Sequence, residues 1–241
     1  MSSAIKTFIL YSPKETDRTE RVAALGKVFS DFTIVKSIYP SETHIPFLDS
    51  LIQKSKERTG SALRASEVAC LLGHRQIWSE ILKTNHSEKE HVLVLESDSK
   101  IINLEMLNTY FEQYTQPYDL FFWGAWEGNL KIKRSSIKFS DNNHIVGEPL
   151  IKTVYCMYGY SLNKQAARYL LKQTNKIAYP VDIFKKIIEP GSIRLGAIKN
   201  EVIGTWLEGS YIRDITKFYT LKRNLLLFIL NIRNSIKAYF S

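Results

Sequence analysis

The sequence predicts an α/β domain with parallel strands in its sheet, followed by a basic C-terminal helix. Three observations predict it. The first is a strand–helix–strand succession near the N-terminus, where the apolar run Thr7–Tyr11 is followed by an amphipathic stretch from Asp17 to Phe29 and then by Phe32–Val35. Such an order at such short spacing makes a βαβ unit. The second is the continuous apolar run His91–Leu95, as expected of a central strand buried on both faces. The third is Ser66–Lys83, where Val68, Leu71, Leu72, Trp78, Ile81 and Leu82 recur at helical spacing.

The remaining elements follow in order. Tyr39–Gly60 is polar, with Pro40, Pro46 and Gly60, and reads as a loop holding one short helix near Phe47–Lys56. After His91–Leu95 come a helix at Leu104–Tyr114 and a strand at Asp119–Trp123. Lys131–Pro149 reads as a β-hairpin or loop, Val154–Met157 as a strand, Tyr158–Tyr160 as a turn and Asn163–Gln173 as a helix. Pro180-Val181-Asp182 precedes a short helix that ends near Pro190.

Composition narrows the class. The 241 residues are 44% hydrophobic and 24% charged, the balance of a folded globule and not of a disordered or collagen-like chain. Two cysteines, Cys70 and Cys156, make neither a disulfide framework nor a four-ligand zinc site, which suits a reducing compartment. Thr7–Tyr11 is too short for a signal-peptide core, and no run approaches ~18 apolar residues, so neither leader nor transmembrane span is expected. The formal charge is +9, but residues 211–241 hold six basic residues and one acid, a net +5 that leaves +4 for the first 210. A nucleic-acid partner would want its basic face on the folded domain, so none is expected.

Few residues carry possible chemistry. Glu96 and Asp98 sit where the His91–Leu95 strand ends, the edge at which open α/β sheets bind ligands. Their oxygens suit a hard cation such as Mg²⁺ or Mn²⁺ that would bridge a diphosphate, or they simply cap the turn. Glu67, Cys70 and His74 share one helix face and either line a cleft or pack as core neighbours. Glu67 and His74 lie ~10 Å apart along the axis, too far for one ion. Asp182 reads as an N-cap or first-turn acid. Arg18 and Arg21 face a phosphate or solvent, with Arg18 read as solvated. The P-loop, dinucleotide and nucleophile-elbow motifs are missing, so an enzyme here would rest on carboxylates and a metal.

In sequence order, Phe8-Ile9-Leu10…Arg18…Arg21, Ser66-Glu67-Val68-Ala69-Cys70-Leu71-Leu72-Gly73-His74-Arg75-Gln76-Ile77-Trp78, Val92–Asp98, Tyr158–Leu162 with Ala166-Ala167, and Pro180-Val181-Asp182 together resemble the family 25 glycosyltransferases of bacterial lipooligosaccharide synthesis. The resemblance spans about residues 5 to 210. Here Ser97 stands where the family usually has Asp in Leu-Glu-Asp-Asp, and Gly73 where it usually has Ser.

The resemblance implies a GT-A-like fold: one Rossmann-type nucleotide-sugar domain with a mixed central sheet over residues 1–210, and a basic amphipathic helix over 211–241. It further implies inverting transfer, from UDP-galactose, to a hydroxyl of a lipid-linked oligosaccharide. Leu10, Tyr11, Arg18, Arg21, His74, Glu96, Ser97 and Asp98 would then hold the nucleotide sugar, with Asp98 and Glu96 as ligands to Mn²⁺ or Mg²⁺. Asp182 is the candidate base and Glu67 its competitor. Leu225–Leu230, flanked by Lys222-Arg223 and Arg233, either packs on the domain core or, as the cations at both ends favour, lies on an anionic leaflet, which would make the protein cytoplasmic and peripheral on the inner membrane. Ser97 keeps open a second reading, a carbohydrate-binding module that has lost turnover.

Overall fold

The computed structural model describes residues 5–41, 43–124, 129–140, 144–155, 157–206 and 220–241, with side chains of the last helix described from Phe228 onward. The predicted first unit is present. β1 (Thr7–Tyr11) leads through a 3₁₀ turn (Thr16–Arg18) and α1 (Thr19–Val28) into β2 (Phe32–Lys36), which pairs parallel to β1. Next come α2 (Leu48–Thr59), ended by Gly60 in the left-handed conformation, and α3 (Ala65–Lys83). β3 (Val92–Glu96) then pairs parallel to the other side of β1.

The rest of the chain comprises β4 (Ser99–Ile101), α4 (Leu104–Thr115), β5 (Leu120–Phe122), β6 (Phe139–Ser140), β7 (Ile145–Gly147), β8 (Gly159–Leu162), α5 (Lys164–Gln173), α6 (Phe184–Ile187), β9 (Leu195–Ile198), β10 (Ile203–Thr205) and α7 (Thr220–Tyr239). Eight strands form one mixed sheet in the order β2-β1-β3-β8-β5-β9-β7-β6, and β10 and β4 form a small antiparallel pair.

Alternation along the strands divides the core into two layers. Phe8, Leu10, Val92, Val94, Leu120 and Phe122 pack with α3, α5 and α6, while Ile9, Tyr11, Leu93, Leu95 and Phe121 pack with α1 and α4. Both faces of the central strands are thus covered, which explains why His91–Leu95 reads as unbroken apolar sequence. Val68, Leu71, Ile77, Trp78 and Ile81 of α3 are buried, each contributing about 1.5–3 kcal/mol.

Three expectations are corrected. Ile151–Thr153 is a 3₁₀ turn and Val154, Tyr155 and Met157 are not in a strand; the strand is β8, made partly of the residues expected to turn. Gly159 is small for packing, since a Cβ there would run into Ile203. The polar stretch before Gly60 holds three turns of α2, ending later than the composition suggested. Arg18 is buried, 7% exposed, where solvent was expected. Cys156, the domain boundary near residue 210 and the side chains of Lys222, Arg223 and Leu225–Leu227 lie outside what is described.

Candidate active site

The chain visits β2 on one side of β1 and then β3 on the other, so the sheet has a switch point between β1 and β3. A crevice opens there beyond the strands' carboxyl ends, as the topology dictates. It encloses about 450 Å³, and its walls include Leu10, Arg18, Tyr39, Ser66, Cys70, Glu96, Ser97 and Asp98.

β3 delivers the acids. Glu96 is its last residue, and Asp98 lies in the tight turn into β4. That turn is pinned from β10, because the Asp98 carbonyl accepts from the Trp206 amide at 3.0 Å and from Thr205 Oγ1 at 3.3 Å. Asp98 Oδ2 lies 3.5 Å from Arg18 Nη2, while Oδ1 is buried without a hydrogen-bond partner. Burial, and then the charge of Glu96, push the Asp98 carboxyl up to about 7 against the pull of Arg18. A second carboxylate nearby and an orphaned buried oxygen are the surroundings in which a cation fits. Oxygen donors of this kind suit a hard divalent ion.

Arg18 is held from three sides. Nη1 donates to Ser97 Oγ at 2.8 Å, Glu15 Oε2 lies 3.7 Å away, and Asp98 closes the triangle. Ser97 therefore offers a hydroxyl, not a carboxylate, to the arginine. Glu15, one turn before Arg18, was missed by the sequence reading. Its Oε1 accepts from the Tyr39 hydroxyl at 2.7 Å, and the i, i+3 spacing to Arg18 was the available signal.

Behind Glu96 runs a chain of buried donors. Trp78 Nε1 lies 2.9 Å from the Tyr160 hydroxyl, that hydroxyl 3.0 Å from His74 Nδ1, and His74 Nε2 3.1 Å from Glu96 Oε1. An indole can only donate and a carboxylate can only accept. The carboxylate thus places an imidazole proton on Nε2, facing Glu96, and in the neutral imidazole Nδ1 then accepts from the Tyr160 hydroxyl, which itself accepts from Trp78. His74 is fully buried, as a core histidine would be, and at the same time reaches the crevice acid.

Cys70 Sγ, His74 Nε2 and Glu96 Oε1 lie within 4.8 Å of one another, a donor set with the spacing to hold a metal. The thiol donates to Glu96 at 3.9 Å, and burial, followed by the charges of Glu96, Asp182, Asp98 and Glu67, raises its pKa well above the usual value. Thiol and imidazole donors of this set suit a softer ion, whereas the carboxylate oxygens of Glu96 and Asp98 suit a hard one.

The four acids that act on Cys70 come from three separate sequence regions, so Asp182 and Glu67 lie near the thiol, though neither lines the crevice. Asp182 is half-buried and does not cap α6, whose N-cap is Ile183 with no side-chain cap. Glu67 closes a capping box, its Oε2 accepting from the Arg64 amide at 2.8 Å. Two further expected residues do not line the crevice. The Tyr11 ring packs in the opposite layer with its hydroxyl 2.8 Å from Thr19 Oγ1, and Arg21 lies over the Trp206 ring, 5.0 Å from its centroid. Gly73 faces Leu10, whose Cδ1 would be 3.0 Å from a Cβ there, so a larger residue would press on the crevice wall.

Residues 6–185 match the model of glycosyltransferase family 25, described as an LPS biosynthesis protein. No curated protein matches the chain. The matched region contains β1, α3, β3 and Asp182, that is, the whole acid cluster, and the large mixed sheet is that of a GT-A-like fold. With more than half of its length matched and the crevice built from the matched part, the chain belongs to glycosyltransferase family 25, the transferases of LPS biosynthesis.

Proposed function

We propose that the protein is an inverting glycosyltransferase that moves galactose from UDP-galactose to a hydroxyl of a lipooligosaccharide or related glycan. The observation that carries this reading is the pair Glu96–Asp98 at the switch-point crevice, with Asp98 raised to about 7 and one of its oxygens buried without a partner. Mn²⁺ or Mg²⁺ bound by Asp98 and Glu96 would supply positive charge to the departing diphosphate.

The chain's own groups do the rest. Arg18 gives the crevice a fixed positive charge beside Asp98, and His74 holds Glu96 in place through its Nε2 proton. Inversion needs a base within hydrogen-bond reach of the acceptor hydroxyl, on the face opposite the nucleotide. Asp182 takes that role. Glu67 is the weaker candidate because one of its oxygens is committed to capping α3. α7, in the unit from 211 onward, associates with the cytoplasmic face of the inner membrane, where a lipid-linked acceptor would be met. No helix among the described residues is long and apolar enough to cross a membrane.

Substituting Asp98→Ala is expected to abolish transfer and metal dependence together. An active, metal-independent variant would sink the cation assignment. A thermal-shift panel of nucleotide sugars with Mn²⁺ names the donor, since the ligand that binds the native state raises Tm. Failure of every donor to release UDP would leave the binding-module reading, in which Ser97 marks a site that has lost turnover.

A further inference from the structure

The last helix is docked inside out. Ala238 is 6% exposed and Asn231 and Asn234 are half-buried, whereas Phe228 is 63% exposed, Phe240 82%, and Ile229, Ile232 and Ile236 are all exposed. At ~3.6 residues per turn these five apolar side chains fall in one arc, bordered by Arg233 and Lys237 one turn apart. A surface helix of a globular domain turns its apolar stripe inward instead. The docking is specific at its end, where Arg134 lies over the Tyr239 ring at 4.3 Å and Ser135 Oγ donates to the Ser241 carbonyl.

The body of the protein adds charge to the same place. Desolvation, followed by the charges of Lys237, Arg233 and Lys185, holds the Lys152 ammonium below its usual range, so cations from the Ile151–Thr153 turn, α6 and α7 face one another. No ion pair joins any of the four to an acid among the described residues. Lys185 Nζ also lies 5.6 Å from the centroid of Tyr155, an exposed ring of the kind that sits at the headgroup level of a bilayer.

We propose that the outward apolar arc of α7 and the cations Lys152, Lys185, Arg233 and Lys237 form one composite docking surface for an anionic phospholipid leaflet. The cations select this occupant. A second copy laid face to face would bring eight like charges together, whereas a phospholipid leaflet accepts the apolar arc and neutralises the cations. The surface deepens the glycosyltransferase reading and rests on it for its purpose. Lys185 follows Asp182 by three residues, so the leaflet lies beside the candidate base and presents a lipid-linked acceptor to it.

The test uses the full chain and vesicles of phosphatidylcholine, with and without phosphatidylglycerol. Binding should require phosphatidylglycerol, weaken with salt, and fall at least about 25-fold in Lys152→Glu/Lys185→Glu, at about fivefold per cation lost. Ile232→Ser/Ile236→Ser should also weaken it. Binding unchanged in the lysine pair would overturn the composite surface and leave α7 alone as the anchor. A dimer in solution that the isoleucine pair dissolves would also overturn it. Vesicle binding is read without donor or acceptor. A chain that bound as expected yet transferred no sugar would refute the enzymatic reading and leave the surface standing.

Discussion

Asp98 and Asp119 are both covered aspartates at ends of strands in or beside the same sheet, and their surroundings treat them oppositely. Asp119, 1% exposed at the entry to β5, accepts from Arg194 Nη2 at 2.7 Å, Arg194 Nε at 3.1 Å, the Arg194 amide at 2.9 Å and Asn163 Nδ2 at 3.0 Å. Burial by itself would raise its carboxyl, but those bonds outweigh burial and hold it below the usual range. Asp98, beyond the exit of β3, has a single cation at 3.5 Å, a second acid beside it and an oxygen with no partner. One end of the sheet satisfies its carboxylate to fix the fold. The other leaves a carboxylate short of partners, where a ligand completes it.

Substitution should separate the two most sharply. Asp119→Ala leaves Asn163 and the Arg194 amide without their acceptor and should lower the unfolding free energy by about 3 kcal/mol, read by urea denaturation. Arg194 is largely exposed, so its charge adds little to that loss. Asp98→Asn removes an unfavourable charge, so Tm should hold or rise while transfer falls at least about 100-fold. Equal destabilisation by the two changes would break the comparison.

The same pair explains how much was legible in the sequence. The apolar run of β3 and the acids behind it are neighbours in the chain, so strand, exit and candidate ligands could be read together. α3, α4 and α5 were legible for the same local reason. Arg18 was not, because its acceptor Ser97 lies 79 residues away, and an arginine on an amphipathic stretch looks solvated without it. Asp119 looked like the start of a strand, since Arg194 comes 75 residues later. β4, β9 and β10 have three or four residues each, too few to show a period, yet β10 is what pins the turn holding Asp98. Glu96 and Asp98 could be read at the strand's end; Glu15 beside them, and the hold of Ser97 on Arg18 and of β10 on the turn, came from the fold.

His91 gives the Asp119 end a pH signature. It is buried at the start of β3 with Nε2 3.0 Å from the Tyr118 carbonyl, and desolvation lowers its pKa to about 4 although Tyr118 and Asp119 pull it upward. Above about pH 6.5 the ring is neutral in both folded and unfolded chains and contributes no pH dependence. Between about 6.5 and 4 the unfolded chain takes up a proton that the folded one refuses, so stability falls with pH by up to about 3 kcal/mol in all. Asp119, with its pKa depressed, keeps its contribution through that window and loses it only at lower pH. Asp98, raised to about 7, contributes with the opposite sign over the same window, so the signature is a difference: from about pH 7 to about pH 4.5 urea unfolding should show the native sequence losing stability relative to His91→Gln. Parallel curves for the two proteins would remove His91 from the account.

Tyr160→Phe probes the Asp98 end with the smallest expected change in rate. The hydroxyl sits between Trp78 Nε1 and His74 Nδ1, fully buried, so removing it leaves one donor and one acceptor unmatched and should cost about 1–2 kcal/mol. A merely structural tyrosine would end there, with kcat unchanged once the protein is folded. If the hydroxyl fixes the His74 proton on Nε2, its loss frees the imidazole to rotate or change tautomer and loosens Glu96 in turn. The expected result is a kcat lowered about tenfold with the donor KM little changed, because the crevice wall itself keeps its shape. His74→Gln supplies the control, since its amide can still donate to Glu96 but takes no direction from Tyr160; adding Tyr160→Phe to it should lower kcat no further. A further drop in that double variant would show that Tyr160 acts on the site by a route other than His74.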